Sequence, residues 1–310
     1  MAILAPGQGA QKPGMLSPWL ELDGVPERLA GWSEQIGLDL ARLGSTADAE
    51  EIQDTAVTQP LIVATSLIVY SELAKRVSLP DTSPVAGHSI GELAAAAIAG
   101  VFSPDNAVSL AAVRGREMAA ACALEPTGMA AVMGGDPDEV VAWLDSMELT
   151  PANMNGAGQI VAAGSQAALD KLMATEDRPG VTKVIALKVA GAFHTRYMAP
   201  AEEALRAKAA DLAVADPTRP LLSNADGTVV ETGAEELLRL IAQVTRPVRW
   251  DLCLATLRER GVRAVIELTP AGALTGLVKR ELKGTATLNL RTPGDLDKLA
   301  DFVAEHESGH

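Results

Sequence analysis

The stretch Gly87-His88-Ser89-Ile90-Gly91-Glu92 leaves this chain few folds to choose from. Before it, Ser83-Pro84-Val85-Ala86 is apolar and β-leaning enough for a short buried strand. After it, Leu93-Ala94-Ala95-Ala96-Ala97-Ile98 is a strong helix former that stops at Gly100. A serine between two glycines at a strand-to-helix junction reads as a nucleophile elbow. Small neighbours permit a sharp turn that lifts the hydroxyl clear of the backbone, over the helix N-terminus. The same residues also fit a capping box, with Ser89 capping the helix and Glu92 reaching back.

Strands and helices alternate around this elbow. Ala2–Ala5 reads as a strand followed by the tight loop Pro6-Gly7-Gln8-Gly9-Ala10-Gln11. That loop lacks the third glycine of a dinucleotide fingerprint, since Lys12 stands there and Pro13 follows. Short helices broken by Gly31, Gly37 and Gly44 are expected from Pro26 to Thr55, then a long helix from Thr58 to Val77 with Pro60 in its first turn. Another helix starts at Ser103-Pro104-Asp105. Between Thr127 and Val189 the order becomes βαββαβ, the pattern of a ferredoxin-like module. The alternation resumes near Gly191, with Pro247 separating two helices. The predicted fold is therefore α/β: an α/β-hydrolase-like core with a parallel sheet, residues 1–126 and 191–310, carrying an inserted ferredoxin-like subdomain at 127–190.

Composition narrows the partners. Hydrophobic residues make up 48% of the 310, and a net charge of −14 argues against nucleic acid or an anionic membrane. The N-terminus has no basic n-region, and the most apolar run, Leu61 to Val69, is too short to span a bilayer. Cys122 and Cys253 are isolated, as in a reduced cytoplasmic protein, and no disulfide is inferred.

A serine hydroxyl needs a base. His306 and His310 sit in a polar tail and read as solvated. His88 abuts the serine but points off the far side of the turn, which suits packing behind the elbow. His194, in Ala190-Gly191-Ala192-Phe193-His194-Thr195, lies at a junction well placed for a general base, with a helix-entry histidine bonded to carbonyls as the plainer alternative. The Ile90 amide supplies one oxyanion donor, and the Gly7-Gln8-Gly9 loop either a second or an ordinary turn. Arg114 offers a planar guanidinium for a carboxylate. Gly115 beside it costs the helix about 1 kcal/mol against Ala, which points to close approach by a neighbour.

Taken in order, several motifs resemble the malonyl-CoA:acyl carrier protein transacylases of dissociated fatty-acid synthesis and their polyketide relatives. They are Gly7-Gln8-Gly9-Ala10-Gln11, Gly87 to Glu92, Arg114-Gly115-Arg116-Glu117-Met118, and Asn153 to Gln159. Ala192-Phe193-His194, Pro247-Val248-Arg249-Trp250 and Thr269 to Leu277 complete the likeness, which covers nearly the whole chain. The resemblance implies Ser89 as acyl-carrying nucleophile, His194 as its base, Gln8 and Ile90 as the oxyanion hole, and Arg114 as the holder of the malonyl carboxylate. It implies that the backbone carbonyl of Gln243 orients His194, and that Phe193 crowds out an α-methyl group. Asn often precedes the proline of the Pro-Val-x-Trp loop in the family; here Arg246 does, and it is given no catalytic part.

The implied reaction is ping-pong: malonyl passes from coenzyme A to Ser89, then to the phosphopantetheine thiol of an acyl carrier protein, with no metal or redox cofactor. Stand-alone relatives are usually monomers. Carrier proteins are acidic, so docking on this acidic chain calls for a basic island, with Lys75 and Arg76 or Lys279, Arg280 and Lys283 as candidates against a merely solvated face. Asn155 and Lys183 are implied contacts for coenzyme A or the carrier. Two other readings stand beside this one: a serine acyl-thioester hydrolase of the editing kind, and a carrier-binding scaffold with an inactive site.

Overall fold

The structure, a computed structural model, describes residues 1–307. His310 lies outside the described residues. The chain opens with β1 (Ala2–Ala5), α1 (Val25–Ile36), α2 (Leu40–Ser45) and α3 (Thr55–Ala74). Gly31 does not break α1, because Leu29 and Trp32 bury the helix on either side of it and the Trp32 indole donates to Asp105. Nor does Pro60 sit in a first turn. Asp54 caps the Ala56 amide at 2.8 Å, so α3 starts three residues earlier than expected and the proline falls inside it. Then come β2 (Val85–Gly87), α4 (Gly91–Ile98) and α5 (Pro104–Cys122), the last capped by Ser103.

The middle segment holds β3 (Thr127–Gly134), α6 (Pro137–Asp145), β4 (Thr150–Gly156), β5 (Gln159–Ser165), α7 (Gln166–Ala174) and β6 (Val181–Ala186). The chain finishes with α8 (Ala199–Ala209), β7 (Leu221–Leu222), α9 (Gly233–Ala242), β8 (Val248–Arg249), α10 (Trp250–Glu259), β9 (Ala264–Glu267), α11 (Ala273–Glu281), β10 (Ala286–Asn289) and α12 (Leu299–Glu307). His306 is not a tail residue: it packs on Phe302 in the last turns of α12 and bonds its carbonyl.

Two sheets result. The first is wholly parallel in the order β10-β9-β1-β2-β7. The second runs β6-β3-β5-β4-β8, antiparallel except where β8 pairs parallel with β4. The two-residue β8 is too short to leave a periodic signal, so it was invisible in the sequence. Alternation along β5 sets the packing. Ile160 and Ala162 face a small core with Val140, Leu144 and Leu172, whereas Val161 and Ala163 join the main core.

α3 is the one helix among the described residues long and apolar enough to cross a membrane, and 78% of its apolar window is buried inside the protein. It packs along α5 and the elbow helix α4. Register decides where function can gather. Ala5 pairs with Gly87, and Ala86 with Leu222, so the loops leaving β1, β2 and β7 emerge side by side at one sheet edge.

Candidate active site

The elbow is as tight as its glycines imply. A Cβ on Gly87 would stand 2.0 Å from the Gly91 carbonyl oxygen, and one on Gly91 would stand 2.3 Å from that of Ala5. Ser89, between them, holds φ +53°, a left-handed backbone that ordinary side chains rarely take. Asn224, in the loop after β7, keeps it there. Its Oδ1 accepts from the Ser89 amide at 2.7 Å, and its Nδ2 donates to the Gly87 carbonyl at 2.8 Å. This buried asparagine stands in the turn Asn224-Ala225-Asp226-Gly227, and only the adjacency of β2 and β7 gives it the elbow to hold.

His194 meets the serine from the other side of the fold. Its Nε2 lies 2.7 Å from Ser89 Oγ, and its Nδ1 lies 2.7 Å from the backbone carbonyl of Gln243. The carbonyl can only accept, so Nδ1 carries the proton and Nε2 is left free to take one from Ser89. Burial, then the neighbouring Arg114 charge, push the imidazole pKa down to about 3, against the pull of the Gln243 carbonyl. The ring is neutral at neutral pH.

Arg114, on α5, is buried and donates to Gln59 Oε1 at 2.7 Å, Gln243 Oε1 at 3.0 Å and Ser89 Oγ at 3.3 Å. Burial lowers its pKa to about 10, with Glu92 opposing, and it stays cationic. The close approach expected at Gly115 is made by α3: a Cβ there would come within 2.6 Å of the Thr55 carbonyl oxygen. Gln59 had left no signal in an apolar helix, although it sets the guanidinium plane.

The Gly7-Gln8 loop presses on the elbow, since a Cβ on Gly7 would fall 2.6 Å from the His88 carbonyl oxygen. Among the described residues, neither the backbone N–H of Gln8 nor that of Ile90 has a protein acceptor. His88 packs behind the turn, as expected, edge-on to Trp250 and 2.8 Å from Asn155 Oδ1. Phe193 is buried in the main core beside the histidine.

A cleft of about 650 Å³ runs past Gln8 and His88, lined by Asn155, Gln159, Leu187, Lys188 and Arg280. Of the expected contacts, Asn155 and Arg280 line this cleft. Lys183 and Lys279 are exposed outside its lining, and Lys188, two residues beyond β6, lines it. Lys75 and Arg76 both pair with Glu72, which reduces what they offer a partner.

A hydroxyl, a neutral base and a buried cation within one hydrogen-bonded group are equipped for acyl transfer from a substrate that carries a second, negative group. Comparison with known proteins agrees. Residues 4–297 match the acyl transferase domain family. The chain is 57% identical over 303 residues to the malonyl CoA-acyl carrier protein transacylase of Mycobacterium tuberculosis (strain ATCC 25618 / H37Rv), covering 97% of this chain and 100% of that protein. This chain is a malonyl CoA-acyl carrier protein transacylase family member.

Within the transacylase family, the crystal structure of MCAT from Mycobacterium tuberculosis superposes with a TM-score of 0.92 at 58% identity, covering 96% of this chain and 99% of that one. The structure of a type II PKS acyl-carrier protein in complex with its malonyl-transacylase contains a chain that matches with a TM-score of 0.88 at 27% identity, covering 97% of this chain and 98% of that one. The transacylase fold is thus shared across at least 96% of this chain.

Proposed function

We propose that the protein moves a malonyl group from malonyl-CoA to the phosphopantetheine thiol of an acyl carrier protein, through a malonyl-serine intermediate, to feed fatty-acid or polyketide synthesis. The observation that carries this reading is the contact of one hydroxyl, Ser89 Oγ, with both His194 Nε2 at 2.7 Å and Arg114 at 3.3 Å. Ser89 attacks the thioester carbonyl as its proton passes to His194. The Gln8 and Ile90 amides receive the developing oxyanion, helped by the N-terminus of α4. The coenzyme A thiolate leaves with the proton from His194. The carrier's thiol then attacks the serine ester and the same steps run in reverse.

Arg114 binds the free carboxylate of the malonyl group. That carboxylate also offsets the charge that depresses the His194 pKa, so the base strengthens when the correct substrate is in place. Phe193 disfavours an α-methyl substituent. This chemistry asks nothing of a metal or redox cofactor, because Ser89 supplies the nucleophile and His194 moves the protons.

Two finer readings of the architecture belong here. Residues 1–126 and 191–310 form an α/β-hydrolase-like core, which the all-parallel first sheet supports. Residues 127–190 form a ferredoxin-like insert, which the βαββαβ order, the arrangement β6-β3-β5-β4 and a separate small core support. Coenzyme A and the carrier's arm enter the cleft between these units, past Asn155, Lys188 and Arg280. Lys279 and Lys283 extend the basic rim for the acidic carrier. We read the protein as a cytoplasmic monomer without nucleic-acid or membrane partners, in keeping with its net charge of −14.

Intact-mass measurement after incubation with malonyl-, methylmalonyl- or acetyl-CoA tests the reaction. A malonyl adduct on the wild type that is absent from Ser89→Ala, and that discharges onto holo carrier protein, is the expected result. Discharge to water without transfer to the carrier would make the protein a hydrolase instead.

A further inference from the structure

Behind the reacting groups, a buried polar chain leads from Arg114 through side chains that no step of the transfer uses. Arg114 donates to Gln243 Oε1, and Gln243 Nε2 donates in turn to the Glu92 carboxylate. The other carboxylate oxygen, Oε1, accepts from the Asn224 amide at 2.9 Å. Asn224 is the residue that holds the elbow. Gln243 is also the residue whose carbonyl faces His194. Every partner is buried, and the order of donors and acceptors allows one arrangement. Arginine can only donate, so Gln243 must turn its oxygen to Arg114 and its amide nitrogen to Glu92.

Stability does not explain the carboxylate at position 92. It is almost fully buried next to a second buried carboxyl, Glu236, whose two oxygens have no hydrogen-bond partner among the described residues. Burial, then the neighbouring Glu92, holds the Glu236 carboxyl well above its ordinary pKa, and burial raises the Glu92 pKa to about 7. A buried acid in an unfavourable place, bonded on both oxygens to the residues that set the site, is there to orient them.

We propose that Glu92 is a positioning residue for malonyl selection. By fixing the amide of Gln243, it holds Arg114 in the orientation that receives the substrate carboxylate. The inference rests on the reading that Arg114 binds that carboxylate. Exchange of Glu92 for glutamine, of the same size, makes the logic visible. If the new amide nitrogen faces Gln243, two donors oppose each other. Gln243 then flips and turns its own nitrogen towards Arg114, again donor to donor. If the new nitrogen instead faces the Asn224 amide, the clash falls on the elbow clamp.

The test compares kcat/KM for malonyl-CoA and acetyl-CoA in wild type, Glu92→Gln, Gln243→Met and the double variant, with circular dichroism and thermal melts as the check on folding. Gln243→Met keeps the backbone carbonyl for His194 and removes only the side-chain link. Each single variant is expected to lower the malonyl-to-acetyl ratio at least about tenfold, the loss of one good hydrogen bond to a charged group. The double variant is expected to match Gln243→Met, because both exchanges cut one chain. A ratio within twofold of wild type, or equal loss towards both substrates, would overturn the proposal; so would additive effects. Should Glu92→Gln not fold, Gln243→Met decides alone on the same ratio. Wild type that forms no malonyl adduct would instead defeat the assignment of malonyl transfer itself.

Discussion

Ser89 and His194, 105 residues apart, meet at 2.7 Å while both hold left-handed backbone, φ +53° and +60°. Two such residues in one contact store about 1–3 kcal/mol of strain each, and the surrounding structure must impose it. For Ser89 the constraint is the Asn224 side chain on both flanks of the turn. For His194 it is the short turn in which the Thr195 hydroxyl donates to the Ala192 carbonyl at 2.6 Å.

Removal of the clamp is therefore expected to cost both rate and stability. Asn224→Ala leaves the Ser89 amide and the Gly87 carbonyl unbonded in a buried place, a loss of about 1–3 kcal/mol by urea denaturation. The rate of malonyl-serine formation, measured by rapid quench and mass spectrometry, should fall about tenfold or more. A variant as stable and as fast as wild type would show that the glycines alone shape the elbow.

Arg114 is held by Gln59 and Gln243 so that its plane faces the serine. Arg114→Ala should reduce malonyl kcat/KM about a hundredfold and shift preference towards acetyl-CoA, since a charge-assisted pair disappears. Arg114→Lys should rescue little, because one ammonium cannot span both glutamines in a fixed plane. Competition between the two thioesters in one reaction reads the preference directly.

The depressed pKa of His194 makes a prediction about acid stability. Unfolded, the imidazole titrates near 6.5; folded, it titrates at about 3. Above pH 6.5 neither state binds the proton. As the pH falls from 6.5 towards 3 only the unfolded state does, and stability is lost. At pH 5 that loss is about 2 kcal/mol. Glu92 works in the opposite sense, its contribution present at low pH and lost as the pH rises through about 7. Melting temperatures at pH 7 and pH 5 should accordingly fall less in His194→Ala than in wild type. An equal fall in both would remove His194 from the acid response.

Close helix packing supports the same site. Gly115 lets α5 approach the Thr55 carbonyl on α3, four residues from Gln59. Gly115→Ala gains about 1 kcal/mol of helix propensity but forces the helices apart, at a cost of about 1–3 kcal/mol. A net loss of about 0–2 kcal/mol is expected in urea, together with weaker malonyl selection, because Gln59 moves away from Arg114. A more stable variant with unchanged selection would show that the helices separate without disturbing the site.

Local signals carried much of this protein. The elbow was legible because a strand, two glycines, a serine and an alanine-rich helix each have short-range causes, and the βαββαβ order was legible from periodicity. The capping and nucleophile readings of Ser89-Ile90-Gly91-Glu92 then separated. The Ser89 hydroxyl caps no amide of α4; it faces His194, while the Glu92 side chain turns inward to Asn224 and Gln243. What stayed hidden has a common reason. Gln59, Asn224 and the side chain of Gln243 act through partners on other elements, 55, 135 and 129 residues away along the chain.

A polar side chain in a buried helix looks the same in sequence whether it serves packing or orients a guanidinium, because its hydrogen-bond partner is set by sheet order and helix approach. Sequence thus determined the chemistry on offer: a serine, a histidine, an arginine and the turns that present them. Tertiary structure alone decided their geometry, by placing the ends of β1, β2 and β7 side by side and packing α3 on α5. Register and close packing are collective properties of many distant residues, and no local window contains them.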